Sequence, residues 1–183
     1  MAVANWMSWE GGVDLGAATR PGLAQPNLLL HVGRMVHTPV GSAPSGMLLW
    51  QPDPAAPPAL VGFVSTSERV GRWFGPNVFA GTPFERAPYL KAAIDVTIEE
   101  RYVAAKVRIG EHVFSSRLDG LKALERVDRA PGPMTPFWQQ GLEAVATRAT
   151  FTVDGQQQAI VLPPVGISGG APAVFSPAGL YSR

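Results

Sequence analysis

Cysteine is absent from this chain, and its absence excludes several kinds of site at once. With no thiol among 183 residues, the protein cannot contain a disulfide framework, a cysteine-ligated zinc site or a thiol nucleophile. A cysteine-free composition is compatible with the reducing cytosol. We therefore expect a cytoplasmic protein whose stability comes from a hydrophobic core, for which the chain is long enough.

An excess of charge of either sign is also missing, as are long apolar runs. The net charge of +1 argues against a nucleic-acid partner, which usually demands a basic face. No stretch approaches the roughly 18 apolar residues that cross a membrane. The segment from Met1 to Met7 has no basic residue and no long apolar run, unlike a secretory signal. We expect a soluble protein with neither a nucleic-acid nor a membrane partner.

The few charges are unevenly distributed. Most of them lie within residues 85–129, whereas residues 15–67 carry only Arg20, Arg34 and Asp53. Charge-poor segments either bury themselves or meet another surface, because large exposed apolar patches are uncommon on monomers. One alternative is therefore a monomer kept soluble by polar loops. The other is a homo-oligomer, in the simplest case a homodimer.

The run from Ala92 to Leu118 predicts a three-stranded antiparallel meander. Apolar and polar residues alternate over 92–98 and again over 103–109, which is the period-two pattern of a half-buried strand. The Gly110-Glu111 pair predicts a tight turn with glycine at its first central position. The cross-strand pairs that follow on the apolar face are Ile98–Val103, Val96–Ala105, Ile94–Val107, Ile109–His112, Val107–Phe114 and Val103–Leu118. On the other face Asp95 meets Lys106, a favourable charge pair.

Other segments complete the predicted fold. Residues 1–26 are interpreted as an irregular N-terminal arm and 27–183 as a single antiparallel β domain. Further strands are predicted at 28–36, 47–51, 60–64, 146–153 and 173–181, and Asp154-Gly155 predicts a hairpin turn. Short helices are predicted after three capping residues, Ser65, Asp119 and Thr135.

The predicted fold class is mainly β, an antiparallel β-barrel or strongly curved sheet with one to three short helices. Closure would remove the open edges that a meander leaves. An α+β arrangement, with a helix packed on an antiparallel sheet, is the alternative.

His112 is the candidate catalytic or ligand-binding histidine. The meander register places it on the apolar side beside a turn, which in a barrel is the position of a residue lining the mouth. There it would serve as a polar anchor or a proton carrier. The competing interpretation is a packed histidine hydrogen-bonded to a backbone carbonyl or to water.

The segment between the first helix and the meander is a second candidate site. It brings together Arg69, Arg72, Arg86, Trp73 and Tyr89 among glycines and aromatic residues. Converging arginines would suit a carboxylate or phosphate through bidentate hydrogen bonds. Charged residues at this density more often form a solvated face, and the aromatic residues more often belong to the core.

Two other patterns carry little chemistry. Gly166 to Gly170 matches the G-x-S-x-G string of serine hydrolases, but the residues after it contain no aspartate, glutamate or histidine, so we predict a loop. His31 and His37 would lie ~20 Å apart on one straight strand. We therefore predict no metal site, and no cofactor is expected.

Three functions remain open. The first is a non-enzymatic protein that binds a small apolar or weakly acidic ligand inside the barrel, between the inner faces of 28–36 and 92–118, with His112 and an arginine as polar anchors. The second is a small hydrolase or isomerase on the same scaffold, using His112 with a nearby carboxylate. The third is an assembly protein without a ligand.

Overall fold

The segments in which apolar and polar residues alternate, and those that are apolar on both faces, form strands of one sheet. The computed structural model describes residues 5–132 and 135–183. Its strands are β1 (Trp6–Ala17), β2 (Leu28–Thr38), β3 (Gly41–Trp50), β4 (Leu60–Ser65), β5 (Tyr89–Lys91), β6 (Ala93–Ile98), β7 (Tyr102–Ile109), β8 (His112–Leu121), β9 (Glu125–Arg129), β10 (Trp138–Val153), β11 (Gln156–Gln157) and β12 (Ala173–Ser182), and its helix is α1 (Glu68–Trp73).

The strand order brings the two ends of the sheet together. The order is β5-β4-β3-β2-β1-β12-β10-β8-β7-β6, with β9 and β11 pairing with β10. Only Ala92 separates β5 from β6 in the chain, so the two end strands of the path meet. The sheet is thus nearly closed into a barrel, and the predicted mainly β fold class is confirmed.

The meander is confirmed pair for pair. β6, β7 and β8 show the predicted registers, from Ile98 opposite Val103 to Ile109 opposite His112. Gly110 has a φ of 58°, as its predicted turn position requires. The Asp154-Gly155 hairpin is also confirmed, with positive φ at both residues.

Inside the barrel lies a fully buried apolar core to which most strands contribute. Leu15, Leu30, Leu48, Leu118 and Phe151 are among its completely buried members. The inward side chains of β2 and of the meander belong to this core. Packed side chains therefore occupy the space between those inner faces.

A second apolar cluster covers the opposite face of the sheet. We call it the outer cluster, and its buried members are Met7, Trp9, Val36, Ala43, Met47, Phe63, Val70, Phe74, Val78, Phe137 and Tyr181. Helix α1 and the segment Phe74–Ala87 form its cover. β2 is consequently covered on both faces over most of its length, with Arg34 exposed.

Strand β1 serves both clusters because its backbone changes direction at Gly11. Met7 and Trp9 belong to the outer cluster, whereas Val13 and Leu15 belong to the inner core. Gly11 adopts a φ of 61°, a left-handed conformation in which the alternation of side chains is interrupted. A register shift in the neighbouring strand β2, between Gly33 and Val36, lies beside it.

Several sequence predictions are wrong. The irregular arm predicted over 1–26 is wrong for Trp6–Ala17, which form β1 and pair with both β2 and β12, and residues 1–4 lie outside the described residues. The helices predicted after Asp119 and Thr135 are strands β9 and β10, because pairing across the sheet outweighs local helical spacing. The first helix is correct, but Ser67 caps it through the Val70 amide. Ser65 instead ends β4 and shares a hydrogen bond with Ser45.

Candidate functional site

A cavity of about 60 Å³ lies between the outer face of the sheet and the segment that covers it. Its walls are mostly apolar, with Met7, Leu29 and Met47 on the sheet side. Its aromatic members are Phe63, Phe74, Phe79, Phe84, Phe137 and Tyr181. A concave apolar site with few polar groups is the usual form of a small-molecule site.

The aromatic rings form one continuous row across the cavity wall. Phe63 contacts Phe79, with ring centroids 5.2 Å apart, and Phe79 meets Phe137 edge-on at 5.7 Å. Phe137 stacks on Tyr181 at 3.9 Å. The first two spacings are typical of favourable aromatic pairs, and the Phe137–Tyr181 stack is closer. The row connects the covering segment with strand β12.

Asp14 and His31 supply the charged end of this cavity. They are directly opposite each other on β1 and β2, and His31 Nδ1 lies 3.4 Å from Asp14 Oδ1. Both alternate with inward-facing apolar residues, so both face the outer cluster. Their side chains are 31% and 20% exposed, which leaves this contact only partly shielded from water.

The charges around His31 stabilise its protonated form. Burial lowers the pKa of His31, but the charge of Asp14, the hydrogen bond to it and the charge of Glu143 together raise the pKa above its ordinary value. The negative charges therefore dominate the environment of this imidazole.

A second ion pair lies beneath the first. The Arg129 guanidinium donates to both Glu143 carboxylate oxygens, at 2.8 and 2.7 Å, and the Gln139 amide donates to Glu143 Oε1 at 2.8 Å. The hydrogen bond to Glu143 raises the pKa of Arg129 above its ordinary value. Glu143 is thus paired with a guanidinium, whereas the ion-pair partner of Asp14 among the described residues is His31, and the Arg129 charge acts on Asp14 from farther away.

Tyr181 connects the two polar groups with the aromatic row. It is 3% exposed and lines both the apolar cavity and a smaller one of about 10 Å³, which Asp14, His31 and Glu143 also line. Burial, then the charges of Asp14 and Glu143, raise the pKa of its hydroxyl well above the ordinary value. In the part of the chain that the structure describes, this hydroxyl has no hydrogen-bond partner.

The predicted register of His112 is confirmed, but the side chain lines neither the cavity of about 60 Å³ nor the smaller one. Its side chain is 67% exposed, and Nδ1 lies 2.9 Å from Asp154 Oδ2. This contact holds the ring beside the β10–β11 turn rather than over the barrel mouth. The hydrogen bond from His112, then the one from the Val113 amide, lowers the pKa of Asp154 below its ordinary value.

The three arginines do not converge on one point. Arg69 and Arg86 are exposed, and Arg72 pairs with Glu68 one helical turn earlier, at 2.7 Å. Trp73 packs beside Phe74 at the edge of the outer cluster. The Tyr89 hydroxyl donates to the Ser65 carbonyl at 3.4 Å. None of these five residues, nor His112, lines the cavity of about 60 Å³.

The Gly166–Gly170 segment is a loop, as predicted. The Gly166 amide donates to the Gly170 carbonyl, and the tight turn carries Ile167 and Ser168 to the wall of the cavity. Gly170 lies against the Arg129 guanidinium, where a Cβ atom would come within 2.4 Å of a guanidinium nitrogen. The loop therefore closes over the ion pair.

Sequence reasoning missed the polar site because its members come from five strands. Asp14, His31, Arg129, Glu143 and Tyr181 belong to β1, β2, β9, β10 and β12. A local signal did exist for two of them, since Asp14 and His31 interrupt the otherwise apolar runs 11–18 and 28–33. Only the strand order shows that the two interruptions face each other.

Over 5–132 and 135–183, no group of three or more histidine and carboxylate side chains is placed to hold a metal ion. Within those same ranges, no helix has the length and hydropathy to cross a bilayer.

Comparison with protein-family models, with curated proteins and with solved structures finds no match for this chain.

Proposed function

We propose that the protein binds a small, mostly apolar molecule in the cavity under the Phe74–Ala87 segment. The observation that carries the proposal is the combination of a mostly apolar, aromatic wall with a few polar groups. These are Asp14, His31, Thr135, Ser168 and the Tyr181 hydroxyl. An apolar body would fill the aromatic part, and a polar end would complete the hydrogen bonding of Tyr181.

The site differs in place from the one expected from the sequence. The sequence suggested the space between the inner faces of 28–36 and 92–118, where the packed inner core lies. The cavity on the outer face is lined by Leu29 and His31, which alternate with the core residues of β2. The proposed ligand therefore contacts the other side of the same strand.

The size of the cavity limits the ligand. An engineered cavity of about 150 Å³ accepts benzene, so about 60 Å³ accommodates only a few heavy atoms without rearrangement. A larger ligand would require the covering segment to move away from the sheet. Loops of this kind are commonly the mobile part of a binding site.

Methyl NMR of the methionines tests this proposal. Met7 and Met47 line the cavity, whereas Met35 does not and serves as an internal control. Titration with isobutanol, a small branched alcohol, is expected to shift the Met7 and Met47 methyl signals in a saturable manner. Shifts of all methionines together, or of none, would contradict the proposed site.

A cavity-filling variant provides the matched control. Ser168→Phe adds a ring from the loop that lines the cavity, and it is expected to abolish the isobutanol response. Ser115→Phe makes the same change on β8, which contributes no residue to the cavity wall, and should leave the response intact. Equal responses of the two variants would place binding elsewhere.

The hydrolase or isomerase alternative stays a prediction. His112 does have a nearby carboxylate, Asp154, but both lie exposed on hairpin turns away from the cavity. A pH–rate profile with an inflection near a histidine pKa, abolished by His112→Ala, would support it. Assembly as a homodimer and a cytoplasmic location likewise stay predictions, and native mass spectrometry measures the first.

A further inference from the structure

The charged groups around the cavity distinguish among possible ligands. Among the described residues that line it, Asp14 is the only carboxylate, and none is a lysine or an arginine. The nearest guanidinium, that of Arg129, is already committed to both oxygens of Glu143. An anionic ligand would therefore find one carboxylate facing it and no unpaired strong base.

The aromatic row also favours a positively charged ligand. The faces of aromatic rings carry negative electrostatic potential, and cations bind within about 6 Å of their centroids. Phe63, Phe79, Phe137 and Tyr181 stand in contact along one wall. A carboxylate at the end of such a wall suits a positively charged group that is also partly apolar.

Tyr181 is an independent observation at the same place. The residue is only 3% exposed, and its hydroxyl forms no hydrogen bond within 5–132 and 135–183. The hydroxyl is not among the fully enclosed atoms without a partner, and Tyr181 lines the cavity, so a ligand bound there gains affinity by hydrogen-bonding to it. The phenolic oxygen accepts readily from an N–H donor.

We propose that the ligand is a small protonated amine with an apolar substituent. Its ammonium group lies between the Asp14 carboxylate and the Tyr181 hydroxyl, and its alkyl or aryl part lies against the phenylalanine rings. This inference deepens the proposed function and rests on it. It replaces the weakly acidic ligand expected from the sequence with one of opposite charge.

His31 makes the binding pH-dependent. A protonated His31 neutralises Asp14 and repels the ammonium group, so amine binding and protonation of His31 oppose each other. The other charged or titratable groups facing this imidazole are Asp14, Glu143 and Tyr181, with Arg129 behind Glu143. The affinity for an amine should therefore rise as pH increases through the His31 titration.

Three probes of one shape and different charge test the inference. Isobutylammonium, isobutanol and isobutyrate are titrated at pH 8.5 against the Met7 and Met47 methyl signals, an alkylammonium remaining protonated there. Isobutylammonium is expected to bind about tenfold more tightly than isobutanol, and isobutyrate more weakly than both.

The outcomes separate the inference from the proposed function. If isobutanol binds as tightly as the amine, or isobutyrate binds best, the cavity binds a ligand but the amine inference is overturned. If none of the three shifts Met7 and Met47, the proposed function fails and the inference fails with it. An amine affinity that stays flat or falls between pH 6 and 8.5 also overturns the inference.

An isosteric variant assigns the charge preference to one residue. Asp14→Asn keeps the shape of the side chain and removes its charge, so amine affinity should fall about tenfold while isobutanol affinity is unchanged. Asp95→Asn, on the exposed face of β6, is the matched control and should change neither. An amine preference that survives Asp14→Asn would overturn the role of this carboxylate; the pH series on the unaltered protein covers the case in which the variant does not fold.

Discussion

Arg129 and Glu143 form a bidentate pair, in which two guanidinium nitrogens meet two carboxylate oxygens at 2.8 and 2.7 Å across neighbouring strands β9 and β10. The Glu143 side chain is only 9% exposed. A buried carboxylate requires such pairing, because removal of one partner leaves an uncompensated charge. The pair therefore holds β9 to β10 beneath the cavity.

Arg129→Met should destabilise the protein strongly. We expect the free energy of unfolding to fall by about 3 kcal/mol, the lower end of the range for breaking a buried pair, because Arg129 keeps some exposure. Urea denaturation measures the change. The double variant Arg129→Met/Glu143→Gln should recover on the order of 1–2 kcal/mol of the free energy of unfolding, because it removes the unpaired carboxylate charge. A loss below about 1 kcal/mol in the single variant would contradict this.

Stability should depend on pH through His31. Its pKa is raised above 6.5 in the folded protein, so folding favours the protonated form. The resulting stability is fully present below 6.5 and is lost as pH rises through the raised folded value. NMR titration of the imidazole and denaturation at several pH values measure both effects. The His31→Gln variant should lack this pH dependence, and an imidazole that titrates at or below 6.5 would refute the prediction.

Gly179→Ala should displace Trp9. A Cβ atom at Gly179 would lie 2.0 Å from Trp9 Cζ2, and the indole N–H would lose its 2.9 Å bond to Ser176 Oγ. We expect a loss of about 1–3 kcal/mol, as for other overpacked sites, and a shifted indole N–H resonance. In a Trp9→Phe background the same substitution should cost less, and equal costs in both backgrounds would show that the ring is not responsible.

Asp154 should tolerate asparagine better than alanine. It has a φ of 50°, and its carboxylate accepts from His112 Nδ1 and from the Val113 amide. Asp154→Ala loses both hydrogen bonds, and alanine adopts a left-handed backbone conformation less readily than aspartate. Tm should therefore fall by about 2–4 °C. Asp154→Asn keeps an acceptor oxygen and a residue that adopts this conformation readily. Thermal unfolding of both variants measures the difference, and equal Tm values would contradict this account.

Local patterns predicted those parts of the fold whose contacts are local in sequence. The meander joins strands through short turns, so alternation and turn chemistry together fix its register. β1 was missed because Gly11 and Gly12 resemble a loop in sequence. In the structure Trp9 packs over Gly12 and Gly179, where a larger residue would not fit.

The candidate site required information that no single segment contains. Asp14 and His31 are cross-strand partners, but Arg129, Glu143 and Tyr181 join them only because β12 inserts between β1 and β10. The prediction for His112 failed at a side-chain contact rather than at the strand order. Its register was correct, but a side chain from another hairpin, Asp154, determines where its ring lies.

The position of β12 also has a consequence for how the protein is made. β12 is the only element that bridges β1 to β10 along the described strand order. Without β12, the edges of β1 and β10 that it pairs would each expose a row of unpaired N–H and C=O groups. Completion of the barrel, and of the cavity that Tyr181 lines, therefore requires β12, and a folding intermediate without it would be prone to edge-to-edge association.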